Sequence, residues 1–263
     1  MVQLIYNLVN KIKKYSDKYF FNLTNYKELV LENRDDLLED LFIKARQHFL
    51  VIENYLYTNS PSYKFFSKIE NHKDTFLELY KKSFKIKGSQ VSGGQGIIGL
   101  LFISYISSLL KINHIYEFGS FNFFLTKTLD DVLPKDIKID TYDVIQRDPI
   151  FSLSRRVHIN LGDPLEDFKQ HFNTDLTDSL FILDDRVNHQ ERFNALIKLG
   201  AKKIIFIDDL LSFGKLNFLS NNPYPSISMS LKNLKKDLLI LPIPAFTFAG
   251  ILRDTDSVYI EII

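Results

Sequence analysis

Two pairs of carboxylates, Asp184-Asp185 and Asp208-Asp209, each stand at the end of a short apolar run, residues 180–183 and 203–207. Carboxylates at strand ends can hold a divalent cation through oxygen, and two pairs closing consecutive strands would meet at one edge of a sheet. Adjacent parallel strands lie about 4.8 Å apart, so Asp184 and either Asp208 or Asp209 would repel unless a positive charge lies between them. A divalent cation resolves that conflict. The alternative is that these residues cap helices or end strands, where Asp is common. His189, just beyond the first pair, is open to three readings: a base, a metal ligand or a helix-face histidine.

The elements that must position these acids are legible around them. Both apolar runs are rich in Ile, Leu and Phe, as strands buried on two faces are, and the roughly twenty residues between them suffice for a crossover helix. Residues 179–210 therefore read as a βαβ unit whose parallel strands deliver both acid pairs to the same edge. Upstream, 114–118 reads as a first strand, 121–129 as a helix, 138–144 as a second strand closed by Asp143, and 156–163 as a third ending at Asp163. A helix near 165–172 follows. Beyond the βαβ unit, 226–231, 237–244 and 257–263 have no clear crossover helix between them, which suits an antiparallel ending. The expected fold is α/β, a mostly parallel sheet with one reversed strand.

Residues 1–87 have helical periodicity and few breakers. Leu4, Ile5, Leu8, Val9 and Ile12 form one apolar stripe, a second helix fits 35–56, and Asn59, Ser60 and Pro61 break the chain before a third near 74–84. This region is expected to be a helical N-terminal cap on a sheet domain of residues 88–263, with packing on the protein or on a second subunit favoured over a membrane surface. The Gly/Ser cluster at 88–96 lacks the Lys-Ser/Thr ending of a P-loop and follows no evident strand, so a connector is the favoured reading. The apolar run 97–110 is shorter than the ~20 residues a bilayer span needs and carries three serines, as a buried helix would.

Composition excludes several classes. With 33 basic against 32 acidic residues the net charge is +1, so nothing marks a nucleic-acid or anionic-membrane binder. No cysteine is present, which removes disulfides, thiolate zinc sites and thiol nucleophiles. The N-terminus has lysines inside its apolar part and no small-residue cleavage site, so a cytoplasmic protein is expected. No GxSxG elbow supports a hydrolase.

The turn Glu117-Phe118-Gly119-Ser120 puts an acid and a glycine where the first strand gives way to a helix, as nucleoside binding requires; a simple turn is the alternative. With Asp143, the Gly162-Asp163 pair and the acids of the βαβ unit, this order resembles class I S-adenosylmethionine-dependent methyltransferases. The likeness is greatest to the metal-dependent O-methyltransferases, including the cephalosporin hydroxylase-like group, and covers roughly residues 94–263. The resemblance implies a Rossmann-like methyltransferase fold with an antiparallel C-terminal strand, and S-adenosylmethionine held by Glu117, Gly119, Ser120, Asp143 and Asp163. It also implies a divalent metal, Mg or Mn, on Asp184, Asp208 and Asp209, and catalysis by Asp184 and His189 on a hydroxyl of a small molecule. A homodimer through the helical cap is a further expectation. Asp140 and Asp148 lie near Asp143, so a shifted strand end would exchange that assignment. The sequence departs from the family where further glycines usually follow the first strand: Phe121, Asn122, Phe123 and Phe124 stand there. A methyltransferase-like protein without catalysis, using the cap for binding or dimerisation, is the alternative reading, and a nucleotide-binding enzyme of another kind is a third.

Overall fold

The computed structural model describes residues 35–64, 96–120, 123–149, 152–166, 175–185, 189–207, 237–246 and 252–263. The first described helix, α1 (Asp35–Asn59), places Phe49, Ile52 and Leu56 on one buried stripe at helical spacing. It runs three residues past the expected Leu56 because two polar side chains extend it: Thr58 and Asn59 donate to the carbonyls of Asn54 and Tyr55 at 2.9 and 2.8 Å. The stripe meets α2 (Gly96–Leu109), where the Phe49 ring lies 4.1 Å from that of Phe102 and 4.8 Å from that of Tyr105. From Phe102 to Leu109 every residue of α2 is buried. Its serines cost little there, since Ser107 and Ser108 donate back to the carbonyls of Ile103 and Tyr105. Among the described residues no helix is long and apolar enough to cross a membrane.

From there strand and helix alternate: β1 (His114–Phe118), α3 (Phe124–Val132), β2 (Lys138–Asp143), β3 (Val157–Leu161), β4 (Ser179–Leu183), α4 (His189–Lys198), β5 (Lys203–Ile207), β6 (Leu238–Phe246) and β7 (Leu252–Ile262). The sheet order is β3-β2-β1-β4-β5-β7-β6. Strands β1 to β5 are parallel to one another, and β7 runs antiparallel to both β5 and β6. This is the expected α/β fold, a mostly parallel sheet with one reversed strand. The stripe at Leu4–Ile12, the helix near 74–84, the Gly/Ser cluster up to 95 and the stretch 226–231 lie outside the described residues.

Alternation along the strands sorts side chains onto two cores. Ile115, Ile139, Leu180, Ile182 and Ile205 face the layer of α1, α2 and α3, whereas Tyr116, Phe118, Phe181, Leu183, Ile204 and Phe206 face α4. Strand boundaries also differ from expectation. Strand β3 ends at Leu161, not Asp163, because Gly162 turns the chain at φ 120°. Strand β7 begins at Leu252, five residues before the expected Ser257, and its first residues pair with the end of β6 beyond a register shift.

The C-terminus of α3 is held by one arginine. Arg156 donates through Nε to Asp130 Oδ1 at 2.9 Å and through its terminal nitrogens to the carbonyls of Leu129, Asp130, Leu133, Pro134 and Ile137. Ser154 adds two bonds to the Asp130 carboxylate, 2.8 Å from its amide and 2.6 Å from its hydroxyl. Burial opposes the charge on Asp130, but these donors outweigh it and hold the carboxyl below its usual range. Because this pair is almost wholly enclosed, replacing Arg156 by Met should cost about 3–5 kcal/mol in urea unfolding by leaving a buried carboxylate uncompensated. Replacing Lys127, whose ion pair with Asp131 is partly exposed, should cost at most about 1 kcal/mol.

Candidate functional site at the carboxyl edge of the sheet

The strand order reverses between β1 and β4, and open α/β sheets bind ligands in the crevice outside the strand ends at such a point. The chain leaves β1 through Gly119, whose amide donates to the Tyr142 carbonyl at 2.8 Å, while the Asp184 amide donates to the Phe118 carbonyl at 2.8 Å. The turn is thereby pressed against the end of β4. A Cβ on Gly119 would lie 2.5 Å from the Asp184 carbonyl oxygen, and its φ of +93° already suits glycine alone. Gly119 is required by the protein's own backbone.

The structure brings most of the sequence-predicted residues to this edge but gives them different surroundings. Glu117 shares the strand face of Ile115, so its side chain enters the layer of α3, where Thr126 donates to Oε2 at 2.6 Å. Burial pushes its carboxyl up to about 7, opposed by the hydroxyls of Thr126 and Thr141, with the charge of Asp143 adding to the rise. Ser120 is buried in the turn, and its hydroxyl oxygen meets no hydrogen-bonding partner among the described residues. An orphaned buried hydroxyl beside a crevice is the kind of group a bound polar ligand would satisfy, which fits a nucleoside-type cofactor. Asp143 closes β2 as expected, accepting the Ile145 amide at 3.0 Å and Arg147 Nη1 at 3.0 Å. Asp140 lies on the same strand among His114, His158 and Asn160, away from the end of β2.

Asp163 accepts the Leu165 amide at 2.9 Å and also Nη1 of Arg192, a residue of α4 that sequence reasoning did not single out. Nη2 of the same guanidinium lies 2.7 Å from Asp185 Oδ2, and the group is centred 5.5 Å from the Phe118 ring. One arginine thus answers part of the negative charge for which a metal was expected. The signal was present, an arginine one turn into the helix that follows Asp184-Asp185, but nothing in the spacing shows that its side chain folds back over β1. His189 is the first residue of α4, and its side chain lies outside the described residues, as do Asp208 and Asp209. Among the described residues no group of three His, Asp or Glu side chains could hold a metal ion.

The missing glycines after β1 have a structural counterpart. Phe123 precedes α3 in the left-handed region, φ 63° and ψ 20°, with its side chain buried. A non-glycine residue there costs roughly 1–2 kcal/mol. It also delays the helix to Phe124, three residues later than the pattern of 121–129 suggested.

Two substitutions separate the constraints on this edge. Gly119→Ala should destabilise the protein by about 2–5 kcal/mol, adding a backbone clash to conformational strain, whereas Gly200→Ala, at φ +89° with nothing within 4 Å of the new Cβ, should cost only about 1–2 kcal/mol. Equal losses in denaturant unfolding would contradict the contact. For Glu117, a folded-state pKa above the usual 4.5 means that the folded chain binds the proton more tightly, so its contribution to stability declines as pH rises from about 4.5 through 7. Glu117→Gln should remove that decline and leave the variant the more stable of the two above pH 7.

The sequence matches no protein-family model and no curated protein. Among solved structures it is similar to the O-methyltransferase from Bacillus cereus in complex with SAH, at 14% identity and a TM-score of 0.42 over 81% of this chain and 97% of that one. It is also similar to a putative O-methyltransferase from Klebsiella pneumoniae, at 13% identity and a TM-score of 0.41 over 82% and 98% of the two chains. The O-methyltransferase TomG from Streptomyces achromogenes, in complex with SAM, gives 14% and 0.41 over 79% and 94%.

Proposed function

We propose that this protein is an S-adenosylmethionine-dependent O-methyltransferase acting on a hydroxyl of a small molecule with the help of a divalent metal. The observation that carries the reading is the charge of the crevice at the β1/β4 switch point. Among the described residues, Asp143, Asp163, Asp184 and Asp185 stand at or beside the strand ends, against Arg147 and Arg192. An edge with this excess of acids repels a nucleotide's phosphates and suits a nucleoside bearing a cationic sulfonium. That argues against the phosphate-binding alternative.

In this reading Gly119 and Ser120 form the floor of the cofactor site, with Asp143 and Asp163 at its nucleoside end. Bound S-adenosylmethionine supplies an electrophilic methyl group, so the protein's part is to align the acceptor oxygen and favour its deprotonated form. His189, at the start of α4, is placed in sequence to take that proton. Asp184, with Asp208 and Asp209, would hold a magnesium or manganese ion whose charge lowers the pKa of the acceptor hydroxyl. Residues 1–87 would act as the cap in a cytoplasmic enzyme, and the outer face of α1, where Ile43, Val51 and Tyr57 are exposed, suits a dimer through that cap. The glycine-poor turn favours a second reading, a methyltransferase-like protein without catalysis, because Phe123 occupies backbone that glycine would free for a ligand.

Thermal denaturation with S-adenosylhomocysteine distinguishes the two. At a hundred times its dissociation constant the ligand adds about 2.7 kcal/mol, a rise of roughly 5–10 °C for a chain of this length. ATP should give no rise. An absent shift at millimolar S-adenosylhomocysteine would favour the non-catalytic reading. For the metal, calorimetric titration of manganese should show weaker binding to Asp184→Asn and Asp208→Asn than to wild type, and identical isotherms would defeat that assignment.

A further inference from the structure

Strands β3 and β4 are separated in the sheet by β2 and β1, three steps of about 4.8 Å or roughly 14 Å in all. Yet the carboxylates two residues beyond each of them, Asp163 and Asp185, are held by the two terminal nitrogens of one guanidinium, that of Arg192. The segments leaving β3 and β4 must therefore lean toward each other over the tips of β2 and β1. The bridge they form is unequal. Arg192 is 4% exposed and Asp185 11%, so that side is enclosed, whereas Asp163 is 44% exposed and is the end that solvent or a ligand can reach. The Phe118 ring beneath the guanidinium gives it a resting surface that does not depend on Asp163.

We propose that Arg192 is a latch across the switch-point crevice. It holds the ends of β3 and β4 together and yields Asp163 to an entering ligand while remaining on Asp185 and Phe118. The inference rests on the reading of Asp163 as a cofactor-binding residue. It adds that affinity is set by competition, because a ligand that takes up Asp163 must displace an arginine already bound to it. A ligand carrying a positive charge is favoured in that exchange, since the carboxylate loses one cation as it gains another.

The test uses the full chain, with hydrogen exchange read by mass spectrometry and S-adenosylhomocysteine as the probe. Arg192→Lys keeps the charge but cannot bridge two carboxylates in a plane, and Asp185→Asn loosens the buried end without touching Asp163. Both should speed amide exchange in residues 162–166 and 184–185. Arg192→Lys should also tighten S-adenosylhomocysteine binding by about tenfold, a coupling of ordinary size, whereas Asp185→Asn, which leaves the arginine to Asp163, should weaken it. Exchange unchanged from wild type in both variants overturns the latch. Faster exchange with weaker binding in Arg192→Lys also overturns it, because Arg192 would then belong to the ligand's own binding surface. If no form of the protein binds S-adenosylhomocysteine, the methyltransferase reading falls, and the exchange comparison still decides whether Arg192 holds the two strand ends together.

Discussion

The approach of the Gly119 turn to the backbone of Asp184 is the constraint on which the carboxyl edge depends. Neighbouring parallel strands set the spacing of β1 and β4, but only the missing side chain lets the turn after β1 lie directly against the end of β4. With that contact made, the Asp184 amide reaches the Phe118 carbonyl, and the amides of Gly119 and Ser120 both reach that of Tyr142. Three strand ends are thereby tied together through backbone bonds, which do not depend on the charge state of any side chain.

On that frame the acids are distributed by burial and by partner. Asp143 and Asp163 each use one oxygen on a backbone amide two residues on and meet an arginine, so each fixes the start of the segment that follows its strand. Glu117 faces the other way, into the layer of α3, and is held by a threonine. The outcome is an edge whose carboxylates are mostly engaged within the protein. An internal cation and an external one can serve the same need, and Arg192 shows the internal solution at Asp185.

The opposite layer contains a comparable arrangement in which Asp130 and Arg156 together close α3 and fasten the residues before β3. There the buried charge is tolerated because its partner also satisfies backbone carbonyls that would otherwise be left unpaired at the end of α3. Tyr105 and Tyr63 hold a further carboxylate, donating to the two oxygens of Glu53 between α1 and α2.

The strands around the switch point were legible from composition alone, because a strand covered on both faces must be largely apolar, as 180–183 and 204–207 are throughout and 114–118 is apart from His114 and Glu117. The reversed C-terminal strand was legible too, since the sequence offers no clear crossover helix before it. Asp143, and the turn from Glu117 to Ser120, could be placed on the edge by the strands that carry them. What the tertiary structure alone decided is which way each side chain turns and what it meets there. Local pattern could place Glu117 at a strand end but not show that Thr126 would bind it from above. Nor could it show that Phe123 would adopt the left-handed region, or that Arg192 would reach acids 29 and 7 residues before it in the chain. Periodicity is imposed by the backbone and its solvent, so it is written along the chain. Ion pairs across a sheet are imposed by which strands become neighbours, and that is known only once the chain has folded.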